Sequence, residues 1–361
     1  MPEVRPYYAV KCNSEPRLLS WLHSCGAGFD CASSREMIQV SDLYKKIPID
    51  KNILFANPCK TIQDINVAKR LSIPWVTIDS VEELEKMSKA EYRPEVILRL
   101  MVDDKGSTSP FAAKFGAPVE KVHEITRAAK DYKMPIVGLS FHVGSGSSRP
   151  EAFSDAVNLS KSVWNIMGLN QFKILDLGGG WSPDEEIFKQ QTLATRKALY
   201  TNLGPTRPYR IIAEPGRFFA APIYSLYVKV IGKKPKSSGG WRYTLDESIY
   251  GQFSCIPFDH ATPKIAALGD SDKNSTSAIL FGRTCDSLDW IANSFMMREL
   301  DVDDWLYIPN MGAYTSATST EFNGFPKPDI IETEVEPSKV KWLNLTYPLS
   351  TMLSIDDATR I

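Results

Sequence analysis

The sequence predicts an α/β protein, a (β/α)8 TIM barrel followed by a smaller all-β domain. Three observations carry this. Up to about residue 222, eight short apolar runs alternate with mixed, helix-like stretches, as buried parallel strands alternate with covering helices. Beyond that point the apolar runs are separated by Gly, Ser, Asp and Pro, the pattern of short strands joined by turns. Four polar motifs sit at the ends of apolar runs, where a barrel of this kind builds its active site.

The eight runs are Tyr7–Lys11, Gly28–Ala32, Ile53–Asn57, Trp75–Asp79, Val96–Leu100, Val137–Val143, Ile174–Leu177 and Arg210–Ala213. Between the first five, each interval has room for one helix and its loops. Glu82–Met87 and Val119–Tyr132 carry helical patterns. A doubly wound open sheet is the competing architecture. After the barrel, residues 1–222, the runs Ile223–Ile231, Trp241–Leu245, Ala278–Phe281 and Trp305–Ile308 read as strands of a β domain over 223–361. Lys233–Gly240 and Asp270–Ser277 read as polar turns between them.

Composition excludes several classes. With 43% hydrophobic and 24% charged residues the chain is an ordinary globular one. A net charge of −1 offers no basic surface for nucleic acid. No apolar run reaches membrane-spanning length, and Met1–Pro6 is no signal peptide. The six cysteines, at 12, 25, 31, 59, 255 and 285, form no CxxC pair. A disulfide framework or metal site is therefore not expected, and a reducing, cytoplasmic setting is.

The motifs at the strand ends carry the chemistry. They are Tyr8-Ala9-Val10-Lys11, His142-Val143-Gly144-Ser145-Gly146, Leu177-Gly178-Gly179-Gly180 and Ala213-Glu214-Pro215-Gly216-Arg217. A lysine in a barrel mouth is costly to desolvate; forming an imine with an aldehyde removes that charge and makes it a nucleophile. Taken alone, Lys11 reads more simply as a solvated lysine at a strand end. A Gly-Gly-Gly is by itself usually a turn. Here it follows the seventh strand, and Gly216-Arg217 follows the eighth, where barrels commonly bind phosphate through backbone N–H groups. Glu214 could be a salt-bridged carboxylate, or could face a pyridine nitrogen and keep that ring electron-withdrawing. His142, one of four histidines, could be a core histidine or a ring-stacking one; the adjacent Ser145 favours the second. An amine, an imidazole, an anion cradle and a carboxylate together suit pyridoxal 5′-phosphate.

In the β-rich part, Cys285 and Asp286 are neighbours in Gly282–Asp286. A thiol can act as a general acid, although a buried, inert cysteine is commoner. Asp259 and Asp286 could pair with a substrate cation. Tyr314 could donate to phosphate or merely fill a core.

The chain resembles the eukaryotic-type ornithine decarboxylases, in the barrel class of PLP enzymes that also holds alanine racemase and diaminopimelate decarboxylase. The likeness spans nearly all of 6–326. Its markers are PYYAVKCN at 6–13, GFDCAS at 28–33, FANPCK at 55–60, KFGA at 114–117, SFHVGSG at 140–146, LDLGGG at 175–180, IIAEPGR at 211–217, FDHA at 258–261, TCDSLD at 284–289, NMGAYT at 310–315 and FNGF at 322–325. The resemblance implies Lys11 as the Schiff-base lysine, Glu214 as partner of the pyridine nitrogen and His142 as the ring-stacking residue. It implies that Ser145, Gly180, Gly216, Arg217 and Tyr314 hold the phosphate, and that Asp30, Glu36 and Arg99 support the cofactor. Asp259 and Asp286 would receive the distal ammonium of the substrate, and Cys285 would protonate Cα after CO2 leaves. It also implies a head-to-tail homodimer with shared sites, Lys114 and the Asp286 loop lying near the interface. The implied reaction is L-ornithine to putrescine and CO2. The alternatives are a catalytically silent regulatory homologue that binds a partner protein, and a decarboxylase of a related basic amino acid such as lysine in specialised, alkaloid-forming metabolism.

The chain departs from the family pattern in a few places. Family members carry several dozen residues ahead of the matching lysine, forming a β-domain strand and a helix packed on the barrel; this sequence begins shortly before Lys11. Arg283 stands where proline usually precedes Thr-Cys-Asp, placing a long cation two positions from the proposed acid. Glu247-Ser248 replaces an Asp-Gly, which predicts a reshaped turn. Phe218 replaces a common tyrosine. These changes bear on substrate identity more than on the cofactor.

Overall fold

A computed structural model describes residues 1, 3–44, 50–168, 173–203, 210–269 and 273–332. The chain divides into two compact units, Met1–Phe219 and one beginning at Ala220.

The first unit is a closed barrel of eight parallel strands in sequence order. They are β1 (Val4–Ala9), β2 (Gly28–Cys31), β3 (Ile53–Phe55), β4 (Trp75–Ile78), β5 (Glu95–Arg99), β6 (Ile136–Ser140), β7 (Ile174–Asp176) and β8 (Arg210–Ala213). Closure comes from β1 and β8, with Val4 opposite Ile211 and Pro6 opposite Ala213. Helices α1 (Pro16–Ser24), α2 (Ser34–Ser41), α3 (Ile62–Arg70), α4 (Val81–Lys89), α5 (Val122–Asp131), α6 (Glu151–Met167) and α7 (Glu185–Leu203) follow strands β1 to β7 in turn, and the short α8 (Arg217–Ala220) follows β8. The barrel is therefore as predicted, and the open sheet is excluded.

Local sequence explains the elements. The barrel strands are nearly continuous apolar runs because both faces are covered. Helix starts are chemically marked: the Glu15 carboxylate accepts the Leu18 N–H at 2.9 Å ahead of Pro16, and Thr61 Oγ1 accepts the Asp64 N–H at 3.1 Å. Both satisfy backbone donors that an opening helical turn leaves without partners. Tyr7, Leu54, Trp75, Ile97, Val137, Ile174 and Ile212 form one buried cluster. The Tyr7 and Trp75 rings lie 6.3 Å apart although β1 and β4 are not neighbours, so this contact crosses the lumen. Gly28, opposite Tyr7 in register, leaves the space for its ring; a Cβ there would lie 2.7 Å from it. Each such large apolar side chain, fully buried, contributes about 1.5–3 kcal/mol.

Several strands end earlier than the apolar runs suggest. β1 stops at Ala9, and Lys11 lies in a 3-10 turn, Val10–Cys12. β6 stops at Ser140, so His142 stands two residues beyond it. Tilted strands in a closed barrel pair over only a few residues, and the apolar residues beyond line the mouth without a ladder.

In the second unit a six-stranded sheet runs in the order β11, β14, β9, β10, β12, β13. Its strands are β9 (Leu226–Pro235), β10 (Trp241–Leu245), β11 (Ala266–Ala267), β12 (Ser275–Phe281), β13 (Trp290–Arg298) and β14 (Trp305–Ile308). Among the described residues of this unit, only β10 and β12 pair in parallel. Val228, Val230, Tyr243, Leu245, Leu280, Leu306 and Ile308 build its core. One helix, α9 (Cys255–Asp259), sits between β10 and β11. Two turn expectations change. Residues 233–235, read as loop, continue β9, because Lys233 and Lys234 pair with Tyr243 and Arg242. Ser275–Ser277 belongs to β12, paired with Arg298–Met296, while 270–272 lie outside the described residues. Among the described residues no helix is long and apolar enough to cross a membrane.

Candidate active site

The strand ends of the first unit bring most predicted residues together. Lys11 follows β1, and its Nζ lies 2.6 Å from Asp30 Oδ2 on β2. The Lys11 side chain is 43% exposed and the Asp30 carboxylate 1%, so an open amine rests on a buried anion. Glu36, in the first turn of α2, accepts the Ala32 N–H at 2.6 Å. Burial pushes its carboxyl pKa up, and nearby Asp30 adds to this. Arg99 ends β5, its guanidinium over the Phe115 ring at 5.2 Å.

His142 is held by its own turn. Its Nδ1 accepts the Gly144 N–H at 3.0 Å, which leaves the ring proton on Nε2. Burial, with Arg99 and Lys11 nearby, holds its pKa well below the usual value, so the imidazole is neutral. The Phe111 ring stands edge-on to it at 4.9 Å. Beneath it runs the backbone of Gly179, where a Cβ would meet Nε2 at 2.6 Å.

Gly178–Gly180 and Gly216 lie at the ends of β7 and β8, where they could cradle an anion. Gly178 has φ +61, and a Cβ would lie 1.9 Å from the Phe141 carbonyl oxygen; Gly180 has φ +98, with 2.5 Å to that of Gly144. Only glycine fits such approaches. The backbone N–H groups of Gly179, Gly180 and Gly216 have no acceptor among the described residues. Beside them the Arg217 guanidinium donates to Ser145 Oγ at 3.0 Å. An anion would satisfy these donors.

Glu214, two residues ahead of Gly216, faces two more acids. Burial pushes its pKa well up, and Asp176 and Asp30 push further. Asp176, the last residue of β7, is fully buried, and its pKa rises to about 7, mainly through burial. Asp176 stood inside the LDLGGG motif, but its role was not read from the sequence. The available signal was a charge within an apolar run, which a folded protein tolerates only with a partner.

The remaining predicted residues belong to the second unit. Cys285 is exposed, and its N–H donates to Asn323 Oδ1 at 3.2 Å. Asp286 accepts the Leu288 N–H at 3.0 Å and the Tyr250 hydroxyl; these donors lower its pKa, so it is charged near neutrality. Asp289, 1% exposed, accepts from the Thr284 N–H (3.0 Å), the Thr284 hydroxyl (2.6 Å) and the Ile249 N–H (3.0 Å). It ties the Cys285 loop to the turn that carries Tyr250. Neither Tyr250 nor Asp289 was singled out in the sequence, because spacing cannot show that residues 36 or 40 positions apart meet. Asp259 ends α9, and Tyr314 lies beyond β14 with φ +55. Arg283 lies over the Phe325 ring at 4.3 Å and donates to the Pro326 carbonyl at 3.2 Å. Ser248 leaves its turn intact: its hydroxyl accepts the N–H groups of Tyr250 and Gly251, each at 3.1 Å. Phe218 packs on Phe188 at 4.3 Å between ring centres.

A closed barrel with an amine, a carboxylate cluster and a glycine anion cradle at its strand ends defines a pyridoxal-phosphate enzyme. Residues 1–221 match the pyridoxal binding domain of the pyridoxal-dependent decarboxylases, and residues 132–312 match the C-terminal sheet domain of such enzymes; the chain belongs to this family. It is 39% identical over 347 residues to the ornithine decarboxylase of Caenorhabditis elegans, covering 91% of this chain and 81% of that protein. It is 37% identical over 343 residues to antizyme inhibitor 2 of Xenopus laevis, covering 90% and 75%. Among solved structures, the arginine decarboxylase of Paramecium bursaria Chlorella virus, bound to agmatine, superposes with a TM-score of 0.85 at 37% identity, over 90% of this chain and 89% of that one. The chain is thus a decarboxylase of this family, and its cofactor is pyridoxal 5′-phosphate.

Proposed function

We propose that the protein decarboxylates L-ornithine to putrescine and CO2. The observation that carries this reading is one short loop bearing an exposed thiol, Cys285, beside a carboxylate held in its charged form, Asp286. When bound, the cofactor supplies an electron-withdrawing ring that accepts the electron pair left as the α-carboxylate departs.

The chain's own residues do the rest. Lys11 Nζ is the group that bonds the cofactor aldehyde, with Asp30 holding it in place. Glu214 would partner the pyridine nitrogen, and neutral His142 would lie against the ring without placing a second positive charge there. Ser145, Gly180, Gly216, Arg217 and Tyr314 bind phosphate, with Glu36 and Arg99 bracing the surroundings. Asp259 and Asp286 receive the distal ammonium of the substrate. Cys285 Sγ delivers a proton to Cα. A shared-site homodimer supports this arrangement: Phe258 (66% exposed), Leu288 (72%), Trp290 (40%) and Phe322 (40%) are large apolar groups left open on the second unit, on or near the segments carrying Asp259 and Cys285, and such surface favours a partner.

CO2 release from ornithine, lysine and arginine by purified protein with added pyridoxal phosphate tests the reading. Ornithine turnover well above the other two is expected, with Lys11→Ala losing both turnover and the protein-bound cofactor absorbance. Preference for lysine or arginine would overturn the substrate. A second reading, a silent regulatory homologue, draws on the likeness to antizyme inhibitor 2; cofactor binding with no turnover of any of the three substrates would favour it.

A further inference from the structure

Beneath Glu214 lies a second acid for which the reaction above has no use. Asp176 closes β7, is fully buried and points one oxygen, Oδ1, at the Gly178 N–H at 2.9 Å. Its other oxygen, Oδ2, has no donor among the described residues. The Glu214 carboxyl is the side-chain hydrogen-bonding neighbour of Asp176, placed beside it where the Glu214 N–H donates to the Gly178 carbonyl at 2.8 Å. Two ionised carboxylates cannot bond one another, since both are acceptors only. The contact is favourable only when one of them carries a proton, as in other pairs of buried acids. Glu214 is partly exposed while Asp176 is fully buried.

We infer that Asp176 is a positioning residue that shares one proton with Glu214, orienting that carboxyl and setting its charge toward the pyridine nitrogen. This rests on the placement of Glu214 in the proposed function. Alone, Glu214 could rotate or bond a water; bridged to Asp176, it keeps one oxygen tied down and turns the other toward a ring nitrogen. The surroundings fit. Asp30 on β2 adds a negative charge, Lys11 and Arg99 add positive ones, and Tyr7 on β1 is a further titratable neighbour. The raised pKa values of both acids agree with one retained proton.

The pair has a signature without cofactor. A carboxyl whose folded pKa is raised stabilises the fold fully below its unfolded value, and that stability is lost as pH rises through the folded pKa. For Asp176 the window runs from 3.8 to about 7. Chemical denaturation of the cofactor-free protein across that window, for wild type and Asp176→Asn, is the first measurement. Asparagine keeps both hydrogen bonds, accepting from Gly178 and donating to Glu214, but cannot titrate. The unfolding constant of the variant should rise less steeply with pH, by up to tenfold per pH unit for one proton. An unchanged slope would overturn the shared proton.

The second measurement is the affinity of Asp176→Ala and Asp176→Asn for pyridoxal phosphate and for its 1-deaza analogue, in which CH replaces the ring nitrogen. Asp176→Ala should bind pyridoxal phosphate about tenfold more weakly, which is roughly one lost hydrogen bond, and the deaza analogue as well as wild type does. Asp176→Asn should restore most of the loss. Equal weakening of both probes would overturn the positioning role and leave Asp176 as a strand-end brace. If Asp176→Ala does not fold, the slope and affinities of Asp176→Asn still decide. Failure of wild type to bind either probe would count against the cofactor site and not the proton pair, which the denaturation slope tests separately.

Discussion

Single atoms decide much of this site. Gly179 has no positive φ to require glycine; space does, because a Cβ would sit 2.6 Å from His142 Nε2 and 3.0 Å from the Glu214 carbonyl oxygen. Gly179→Ala should displace the imidazole or the β8 end, costing about 1–3 kcal/mol as overpacking does and weakening cofactor binding. Denaturation and a cofactor titration would check this; unchanged values for both would mean that the mouth yields more easily than its packing suggests. Arg283 shows the opposite case. Sequence proximity suggested an electrostatic effect on Cys285, but the guanidinium is engaged by Phe325 and Pro326. Arg283→Pro should therefore change substrate choice little, which relative CO2 release from ornithine, lysine and arginine would show.

At the scale of elements, the Cys285 loop is a braced structure. Asp289 accepts three hydrogen bonds from both flanking segments, and Gly282 passes so close that a Cβ would lie 2.2 Å from its carboxylate. Asp289→Ala removes a buried acceptor and leaves three donors without it, worth about 1–3 kcal/mol for an unsatisfied buried group. Turnover should fall through the loss of Cys285 and Asp286 positioning, while cofactor absorbance stays. Equal loss of both would mean that the loop is needed for the whole fold. The strand ends were legible only approximately for a related reason. Apolar runs record burial, and burial continues past the last ladder bond at Ala9 and at Ser140. β13 was missed because its exposed Trp290, Asn293, Ser294 and Met296 break the apolar pattern of a strand.

For the whole molecule, the proposed shared-site dimer makes a direct prediction. If the sites are shared, Lys11→Ala and Cys285→Ala each inactivate one half of a composite site. Mixed after subunit exchange, the two variants should recover activity that neither has alone, since a hybrid pairs an intact Lys11 with an intact Cys285. No recovery, with exchange shown by sedimentation or native mass spectrometry, would place both residues of each site on one chain. A single-chain site would then leave exposed apolar residues such as Phe258 and Leu288 to another partner.

The sequence by itself determined the barrel, the cofactor and the family. Parallel strands buried on both faces leave continuous apolar runs, and cofactor chemistry needs particular residue types at strand ends. Each motif is local and had a plainer reading alone, so Lys11, His142, the three glycines and Glu214 were readable only as a set. Tertiary structure decided what depends on residues distant in the chain. It closed β8 onto β1 and set Asp30 under Lys11. It brought Asp176 into contact with Glu214, and it clamped the Cys285 loop through Asp289 and Tyr250. These are electrostatic and packing relations between separate strands and turns. Their strength depends on distance and burial, which no spacing along the chain encodes.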